Sequence, residues 1–187
     1  QRLMRYEAMV SGWFDHTLII TDQDRTELPV SEAKVHVIPN GVDTKHYSPV
    51  DCEIRHEMLF VGNMSYPPNI NAMEYFVEHV LPGVVEQIPD AELVIAGAKP
   101  HGRVRMLASD HVIVTGWVDD PREYYRSSAL FIAPMQIGTG LQNKLLEAMS
   151  MQRPCITTDL ANSALGAKHG DEILVADSAH EWIELVV

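Results

Sequence analysis

Residues 58–96 decide the fold class, and they read MLFVGNMSYPPNINAMEYFVEHVLPGVVEQIPDAELVIA. The stretch begins and ends with short apolar runs, Met58–Val61 and Leu93–Ala96, in which apolar and polar residues do not alternate. Strands buried on both faces of a parallel sheet have this pattern. Between the runs, residues 71–81 have helical periodicity, and the spacing of Asn71 and Glu74 predicts a helix that is capped at Asn71. This order of strand, helix and strand predicts a right-handed βαβ unit.

The same kind of apolar run recurs on both sides of this unit. Six more runs, mostly separated by amphipathic segments, are Leu18–Thr21, Val35–Ile38, Val112–Thr115, Leu130–Ala133, Cys155–Thr158 and Ile173–Val175. Strands and helices that alternate at a spacing of roughly 20 residues predict an α/β fold with a Rossmann-like, doubly wound parallel sheet.

One polar stretch interrupts this alternation and predicts the domain organisation. Residues 40–55 have neither a helical nor a strand period, which is typical of a linker. The elements before it are too few to close a domain, so residues 1–39 are interpreted as the C-terminal remnant of a preceding α/β domain. Residues 56–187 are interpreted as most of a second domain. The absence of an initiator Met and the apolar end of the chain predict a fragment that is truncated at its C-terminus.

Composition excludes several classes of function. The chain has 187 residues and a formal net charge of −12, which disfavours nucleic acids and anionic lipid surfaces as partners. Its two cysteines lie far apart and predict neither a disulfide framework nor a zinc site. No apolar run reaches the roughly 18 residues of a membrane span. A cytoplasmic location is therefore expected, and a peripheral place at the inner face of the membrane stays open for the full-length protein.

In doubly wound folds, ligands bind beyond the carboxyl ends of the strands, and the loop after Val61 is the first candidate. It runs from Gly62 to Asn69 and leads into the predicted helix, whose N-terminal N–H groups can bind an anion. The alternative is an ordinary strand-to-helix turn that its prolines stiffen.

The second candidate is the loop Pro134–Gln142, which precedes a predicted helix at Asn143. Gly138-x-Gly140 allows the backbone to approach a pyrophosphate closely, although the third glycine of a dinucleotide fingerprint is absent. Lys144 and Glu147 follow at i, i+3 on one face of the helix. The lysine can meet phosphate oxygens, and the carboxylate can accept hydrogen bonds from both hydroxyls of a ribose. A surface ion pair is the alternative interpretation.

The third candidate is the loop after the run at Val112. Asp120 is placed to cap a helix over residues 121–127. Trp117 or Val118 can form a wall for a flat base, and a core or interface tryptophan is the equally open alternative. The nine histidines lack metal-ligand spacing, and His101 is the one in a loop that can overhang a ligand. The Asp22-x-Asp24 pair lies upstream of these loops and is interpreted as helix capping.

Several motifs occur in order along the chain: VIPNGVD at 37–43, FVG at 60–62, LVIAG at 93–97, GWVD at 116–119, LLEAM at 145–149 and RPCITT at 153–158. Together they resemble the donor half of a group 1 (family four) glycosyltransferase. Residues 142–149, QNKLLEAM, also resemble a subgroup that is linked to exopolysaccharide assembly. The resemblance implies the two-domain GT-B fold, in which this part binds a nucleotide-diphospho-sugar and a missing N-terminal domain binds a glycan or lipid-linked acceptor. It implies no metal and no cofactor.

The resemblance also assigns roles to single residues. Glu147 matches the residue that holds the donor ribose and is the possible catalytic group, and Lys144 lies beside the diphosphate. The full donor-binding set is Gly62, Asn63, Trp117, Val118, Gly138, Thr139, Gly140, Gln142, Lys144 and Glu147. Two positions depart from the family: Thr139 replaces a second glutamate, and no basic pair follows Gly62. Arg103 or Arg105 is expected to supply additional positive charge.

The function implied is a retaining, hexosyltransferase-type glycosyltransferase whose donor half is inactive on its own. Two alternatives stay open, a nucleotide-sugar 2-epimerase of the same fold and a nucleotide-binding or regulatory module without catalysis. Thr139 argues against the epimerase, whereas both departures from the family pattern are what the non-catalytic module predicts.

Overall fold

The computed structural model describes residues 2–27, 34–138 and 140–187. The N-terminal part contains helix α1 (Arg2–Ser11), strand β1 (Thr17–Ile19), helix α2 (Asp22–Glu27) and strand β2 (Val35–Val37). The two strands form a parallel pair with Thr17 opposite Val35. Asp22 and Asp24 lie in the first turn of α2, where the Thr21 hydroxyl caps the helix by accepting from the Asp24 N–H.

The second sheet has six parallel strands in the order β5-β4-β3-β6-β7-β8. They are β3 (Arg55–Val61), β4 (Glu92–Ala96), β5 (Val112–Gly116), β6 (Ser128–Ala133), β7 (Cys155–Thr157) and β8 (Leu174–Val175). Counted from β3, this order is 3-2-1-4-5-6, that of a doubly wound Rossmann sheet. The predicted fold class is confirmed, and each predicted apolar run overlaps one of the eight strands of the described residues.

The helices of this part connect successive strands or follow the last one. They are α3 (Pro67–Tyr75), a π-helical turn (Phe76–Val80), α4 (Leu81–Gln87), α5 (Gly102–Arg105), α6 (Arg122–Ser127), α7 (Asn143–Ser150), α8 (Asp159–Leu165) and α9 (Ala179–Val186). Helix α7 begins at the predicted residue. The helix predicted over residues 121–127 begins one residue later, at Arg122, so Pro121 and not Asp120 is its cap residue; the Asp120 carboxylate still accepts the Arg122 N–H at 3.0 Å.

The predicted cap at Asn71 is wrong. Helix α3 begins at Pro67, so Asn71 lies inside it, and Glu74 forms an ion pair with Arg103. Proline suits a first helical turn because its fixed φ is helical and its missing N–H needs no partner there. The helical stretch then continues to Gln87 through the π-turn, which precedes Pro82.

The apolar core explains why the strands lack alternation. Leu59 and Phe60 of β3 are fully buried, and in β4 Val94 is buried as well as its neighbours Leu93 and Ile95, so successive side chains on opposite faces of the sheet are covered. The Trp182 ring packs edge-on against Phe76 at 5.7 Å between ring centroids. The core therefore covers both faces of the sheet and leaves the strand ends for binding.

Residues 38–54 contain neither a helix nor a strand, and they contact α6, where the Cys52 thiol donates to the Arg126 carbonyl, and α7. Asn40 donates to the Asn143 side chain at 3.0 Å, and Ser150 donates to the Tyr47 carbonyl at 2.5 Å. The domain boundaries at 39/40 and 55/56 remain predictions. Among the described residues, no helix is long and apolar enough to cross a lipid bilayer.

Candidate functional site

The candidate site lies where the strand order reverses, between β3 and β6. A doubly wound sheet opens a crevice at this point beyond the carboxyl ends of its strands. The loop after β6 meets the first turn of α3 there, since a Cβ built on Gly138 lies 3.3 Å from the Pro68 side chain. Gly138 and Gly140 have φ values of +95° and +90°, which side chains rarely adopt. Thr139, between them, lies outside the described residues.

Lys144 projects from the first turn of α7 to the end of β3. Its ammonium donates to Asn69 Oδ1 at 2.7 Å and lies 4.2 Å from the centroid of the Phe60 ring. Gly62 leaves room for this arrangement, because a Cβ there lies 2.7 Å from Asn69 Nδ2 and 3.5 Å from Lys144 Nζ. Asn69 also donates to the Asn63 carbonyl at 3.0 Å, which joins Asn63 to the same cluster.

Burial changes the acidity of this lysine. Loss of hydration lowers the pKa of Lys144 to about 7, and the Glu147 charge partly opposes the shift. The hydrogen-bond partner, Asn69, is a neutral amide. An anion that reaches the crevice would therefore stabilise the protonated amine more than its present surroundings do.

Glu147 lies one turn deeper in α7, beside two tyrosines. The Tyr125 hydroxyl donates to Glu147 Oε2 at 3.0 Å, and the Tyr47 ring packs edge-on against the Tyr125 ring with centroids 6.2 Å apart. Burial raises the pKa of Glu147, while the phenols of Tyr125 and Tyr47 and the Lys144 charge lower it. The ion pairs of the described residues do not include one between Lys144 and Glu147. The interpretation as a surface ion pair is therefore wrong.

The loop after β5 presents an aromatic ring to solvent. Trp117 is 73% exposed, and its indole N–H donates to Asp119 at 3.0 Å, whereas Val118 packs against the core. A core tryptophan is excluded at this position. In the same loop, the Asp120 carboxylate binds the Arg122 guanidinium, and this interaction lowers the pKa of Asp120 to about 2.

The remaining residues that were expected near the ligand contact other groups of the protein. Gln142 precedes α7, and its amide donates to the Gly140 carbonyl at 3.2 Å without capping the helix. The Arg103 guanidinium is paired with Glu74, and Arg105 donates to the Pro100 carbonyl at 3.0 Å. His101 caps α5 by accepting the Arg103 N–H. Both arginines thus already have partners.

Sequence reasoning missed three residues of the cluster: Asn69, Tyr125 and Tyr47. Asn69 stands 75 positions from Lys144, and Tyr125 stands 22 positions from Glu147, so no local spacing connects either pair. Tyr47 belongs to the segment that the sequence marks only as a linker. Only the folded topology brings these side chains to α7.

A separate apolar cavity lies at the opposite, amino edge of the sheet. Its lining includes Glu57 and Met58 in the first half of β3, Leu130 in the first half of β6 and Val84 of α4. The Lys144 and Glu147 cluster lies at the other edge of the sheet, and the lining of this cavity is poor in groups that bind anions.

The cluster at the carboxyl edge has the chemistry for a ligand with two different ends. A cation behind glycine loops suits an anionic group, and a carboxylate one turn away suits a pair of hydroxyls. Within residues 2–27, 34–138 and 140–187, no group of three or more His, Cys, Asp or Glu side chains is arranged to hold a metal ion.

Comparisons with known proteins agree on one family and one fold. The family model described as "Glycosyl transferases group 1" matches residues 55–187. An "Uncharacterized 44.6 kDa protein in cps region" from Klebsiella pneumoniae is 26% identical over 179 residues, which cover 90% of this chain and 45% of that protein. An Escherichia coli UDP-Gal:alpha-D-GlcNAc-diphosphoundecaprenol alpha-1,3-galactosyltransferase is 27% identical over 173 residues, which cover 80% and 43%. This chain thus spans less than half the length of these relatives.

Solved structures show the same architecture at low identity. Anabaena HepE, in complex with UDP and glucose, has a TM-score of 0.78 at 12% identity, over 98% of this chain and 55% of HepE. A variant of S. aureus TarM, in complex with fondaparinux, alpha-GlcNAc-glycerol and UDP, has a TM-score of 0.78 at 18% identity. The match covers all of this chain and 40% of that one.

Proposed function

The chain belongs to the group 1 glycosyltransferases with the fold of a GT-B donor-binding half, and from this premise we propose that it binds a nucleotide-diphospho-sugar. Within the longer protein, it presents this donor to a glycan or lipid-linked acceptor. The sugar is transferred with retention at the anomeric carbon, and the donor half needs neither a metal nor a cofactor.

One observation carries the proposal. Lys144 and Glu147 lie one turn apart on α7, behind the loop that contains Gly138 and Gly140. Their side chains do not pair with each other, because Lys144 donates to Asn69 and Glu147 accepts from Tyr125. A nucleoside diphosphate has an anionic end and two vicinal ribose hydroxyls, which match this separation of a cation from an acceptor.

Each expected contact then has a role. Lys144 binds the diphosphate, with the N–H groups at the start of α7 and of the loop around Gly138. Glu147 accepts both ribose hydroxyls. Trp117 and Val118, which follow β5, flank the base.

The site assists transfer by stabilising the leaving group. Negative charge develops on the diphosphate as the bond to the sugar breaks, and fixed N–H dipoles together with the Lys144 ammonium stabilise that charge. The partners of Lys144 hold it in place before the ligand arrives, so little reorganisation accompanies the reaction.

The names of similar proteins suggest which donor to test first. The E. coli relative is named for UDP-Gal, HepE was solved with UDP-glucose, and pneumococcal GtfA was solved with UDP and GlcNAc. Uridine diphosphate sugars are therefore the first donors to try. The Klebsiella relative is named for the cps region, which supports a role in polysaccharide assembly.

A nucleotide-binding module without transfer is the second candidate. It is favoured by the scarcity of positive charge, since the segment from Gly62 to Tyr66 contains no Lys or Arg and both Arg103 and Arg105 already have partners. The two candidates share the binding site and differ in whether the full-length protein forms a product.

The test is calorimetric titration of the chain with uridine, guanosine and adenosine diphosphates, in buffer with a chelator. We expect one base to be preferred, and we expect binding to persist without divalent metal. Glu147→Gln should weaken binding by roughly 1.5–3 kcal/mol, the range for hydrogen bonds to charged groups. Glu184→Gln, at an exposed position of α9, is the matched control.

Two results would contradict the proposal. The first is binding that a chelator abolishes and that manganese or magnesium restores. The second is equal affinity in wild type and Glu147→Gln, with both variants folded by circular dichroism.

A further inference from the structure

Two tyrosines from different parts of the chain lie beside the Glu147 carboxylate. Tyr125 belongs to α6, is fully buried and donates to Glu147 Oε2 at 3.0 Å. Tyr47 belongs to the irregular segment 38–54, and burial together with the nearby Glu147 charge raises the pKa of its phenol. Their rings pack edge-on with centroids 6.2 Å apart, so the two phenols form one unit beside α7.

The position of Tyr47 is fixed by contacts along α7. Its carbonyl accepts from the Ser150 hydroxyl at the last residue of the helix, and Asn40 donates to Asn143 at the first. Arg122 at the start of α6 donates to the carbonyl of the preceding residue, His46, at 3.3 Å. The segment is therefore attached to both helices on either side of Glu147.

The carboxylate keeps acceptor capacity after these contacts. An ionised glutamate is an acceptor only, with about four lone-pair positions on its two oxygens. The Tyr125 phenol occupies part of this capacity and leaves room for two more donors. A ribose supplies two neighbouring hydroxyls, which suit a carboxylate whose rotation is already restricted.

The groups that face Glu147 also set its charge. Burial favours the neutral acid and raises the pKa of Glu147, whereas Tyr125 and Tyr47, and then Lys144 of its own helix, favour the carboxylate. The pKa of Tyr125 is raised well above its usual value by burial and by the Glu147 charge, so this phenol remains a donor. Loss of either phenol would therefore weaken the acceptor as well as its orientation.

We propose that Tyr125 and Tyr47 are positioning residues that hold the Glu147 carboxylate as a fixed acceptor for the vicinal hydroxyls of the donor ribose. The inference rests on the proposed function and deepens it. It makes segment 38–54 part of the nucleotide site, although that segment lies outside the six-stranded sheet.

The test compares uridine diphosphate with its 2′-deoxy analogue by calorimetry on the full chain. If another base binds more tightly, its own diphosphate pair is used. The variants are Tyr125→Phe and Tyr47→Phe, each of which removes one hydroxyl, and Tyr124→Phe is the matched control on α6. The readout is the ratio of the two dissociation constants, because general loosening of the site weakens both ligands equally and leaves the ratio unchanged.

We expect the wild type and Tyr124→Phe to bind the ribose form roughly tenfold more tightly, an amount typical of one hydrogen bond to a charged group. In Tyr125→Phe and Tyr47→Phe the ratio should fall by roughly threefold or more. A wild-type ratio in both variants, or a wild type that does not distinguish the two ligands, would overturn the inference. A wild type that binds no nucleoside diphosphate would instead refute the proposed function.

Discussion

At the residue scale, Lys144 is a group whose chemistry its surroundings change strongly. Its ammonium is buried beside the Phe60 ring with a neutral amide as its hydrogen-bond partner, and the loss of hydration lowers its pKa to about 7. A bound diphosphate would reverse this shift, because an anion favours the protonated amine. Binding and protonation are therefore coupled.

We predict that diphosphate binding takes up a proton at pH 8, where Lys144 is mostly neutral in the free chain. The uptake should approach about one proton per ligand, and affinity should fall as the pH rises above about 7. Calorimetry in buffers with different ionisation enthalpies measures the uptake. Lys144→Met should abolish it and should weaken the diphosphate far more than the nucleoside. Lys168→Met, at an exposed lysine, is the control. Unchanged uptake in Lys144→Met would contradict this assignment.

The spacing of Lys144 and Glu147 predicted both residues correctly as neighbours on α7, since that relation is local. It did not predict Asn69, Tyr125 or Tyr47, because no local rule relates residues on different elements. Local sequence was equally uninformative about the partner of Arg103. Its place in the loop after β4 suggested a positive charge available to a ligand, but the guanidinium is paired with Glu74 of α3.

At the element scale, the site depends on a close approach of two strand ends. Gly97 follows β4 with a φ of +147°, and a Cβ built there lies 1.7 Å from the Gly62 carbonyl. The loop after β3, which leads to Asn69, is in turn held by the bond from Gly62 N–H to the Ala96 carbonyl. A side chain at Gly97 must therefore displace the backbone beside the Lys144 cluster.

Gly97→Ala should lower the free energy of unfolding by roughly 1–3 kcal/mol, through strain at positive φ and overpacking. It should also weaken nucleotide binding, since Gly62 is displaced. Urea denaturation monitored by circular dichroism gives the first value. Gly41→Ala is the control, because its Cβ would meet nothing within 4 Å. If both variants are equally stable, the close approach does not constrain the loop.

Strand positions were predictable because strands buried on both faces leave uninterrupted apolar runs. The residues at which helices begin were less predictable. Both Asn71 and Pro67 satisfy a local rule for the first turn of α3, and the structure follows the prolines. Residues 40–55 were predicted to lack regular structure, and the structure agrees except at Arg55, where β3 begins. The attachment of this segment to α6 and α7 depends on contacts with residues 74 to 103 positions away.

At the scale of the whole molecule, the proposal rests on the crevice that the strand order creates and on the share of its relatives that the chain spans. Transfer requires donor and acceptor to be held together, and such proximity can account for about 7–11 kcal/mol of barrier lowering. The chain spans less than half the length of these relatives, and we expect the acceptor domain to lie outside residues 56–187.

We therefore predict that residues 1–187 bind nucleotide and do not catalyse transfer. Incubation with labelled uridine diphosphate sugars and glycan or lipid-phosphate acceptors should give no glycosylated product, with slow donor hydrolysis as the most that is seen. Product that forms in proportion to the protein concentration would contradict the proposed division of labour between the two domains.

The central claim is that a nucleoside diphosphate binds at the carboxyl edge of the sheet, between β3 and β6. Amide chemical-shift mapping by NMR during titration with uridine diphosphate, or with the base that binds best, tests it most directly. The account predicts that the largest shifts occur at residues 62–66 and in and around residues 138–147, and that they disappear in Glu147→Gln at the same ligand concentration. Shifts concentrated at the amino edge, around Met58, Val84 and Leu130, would contradict it.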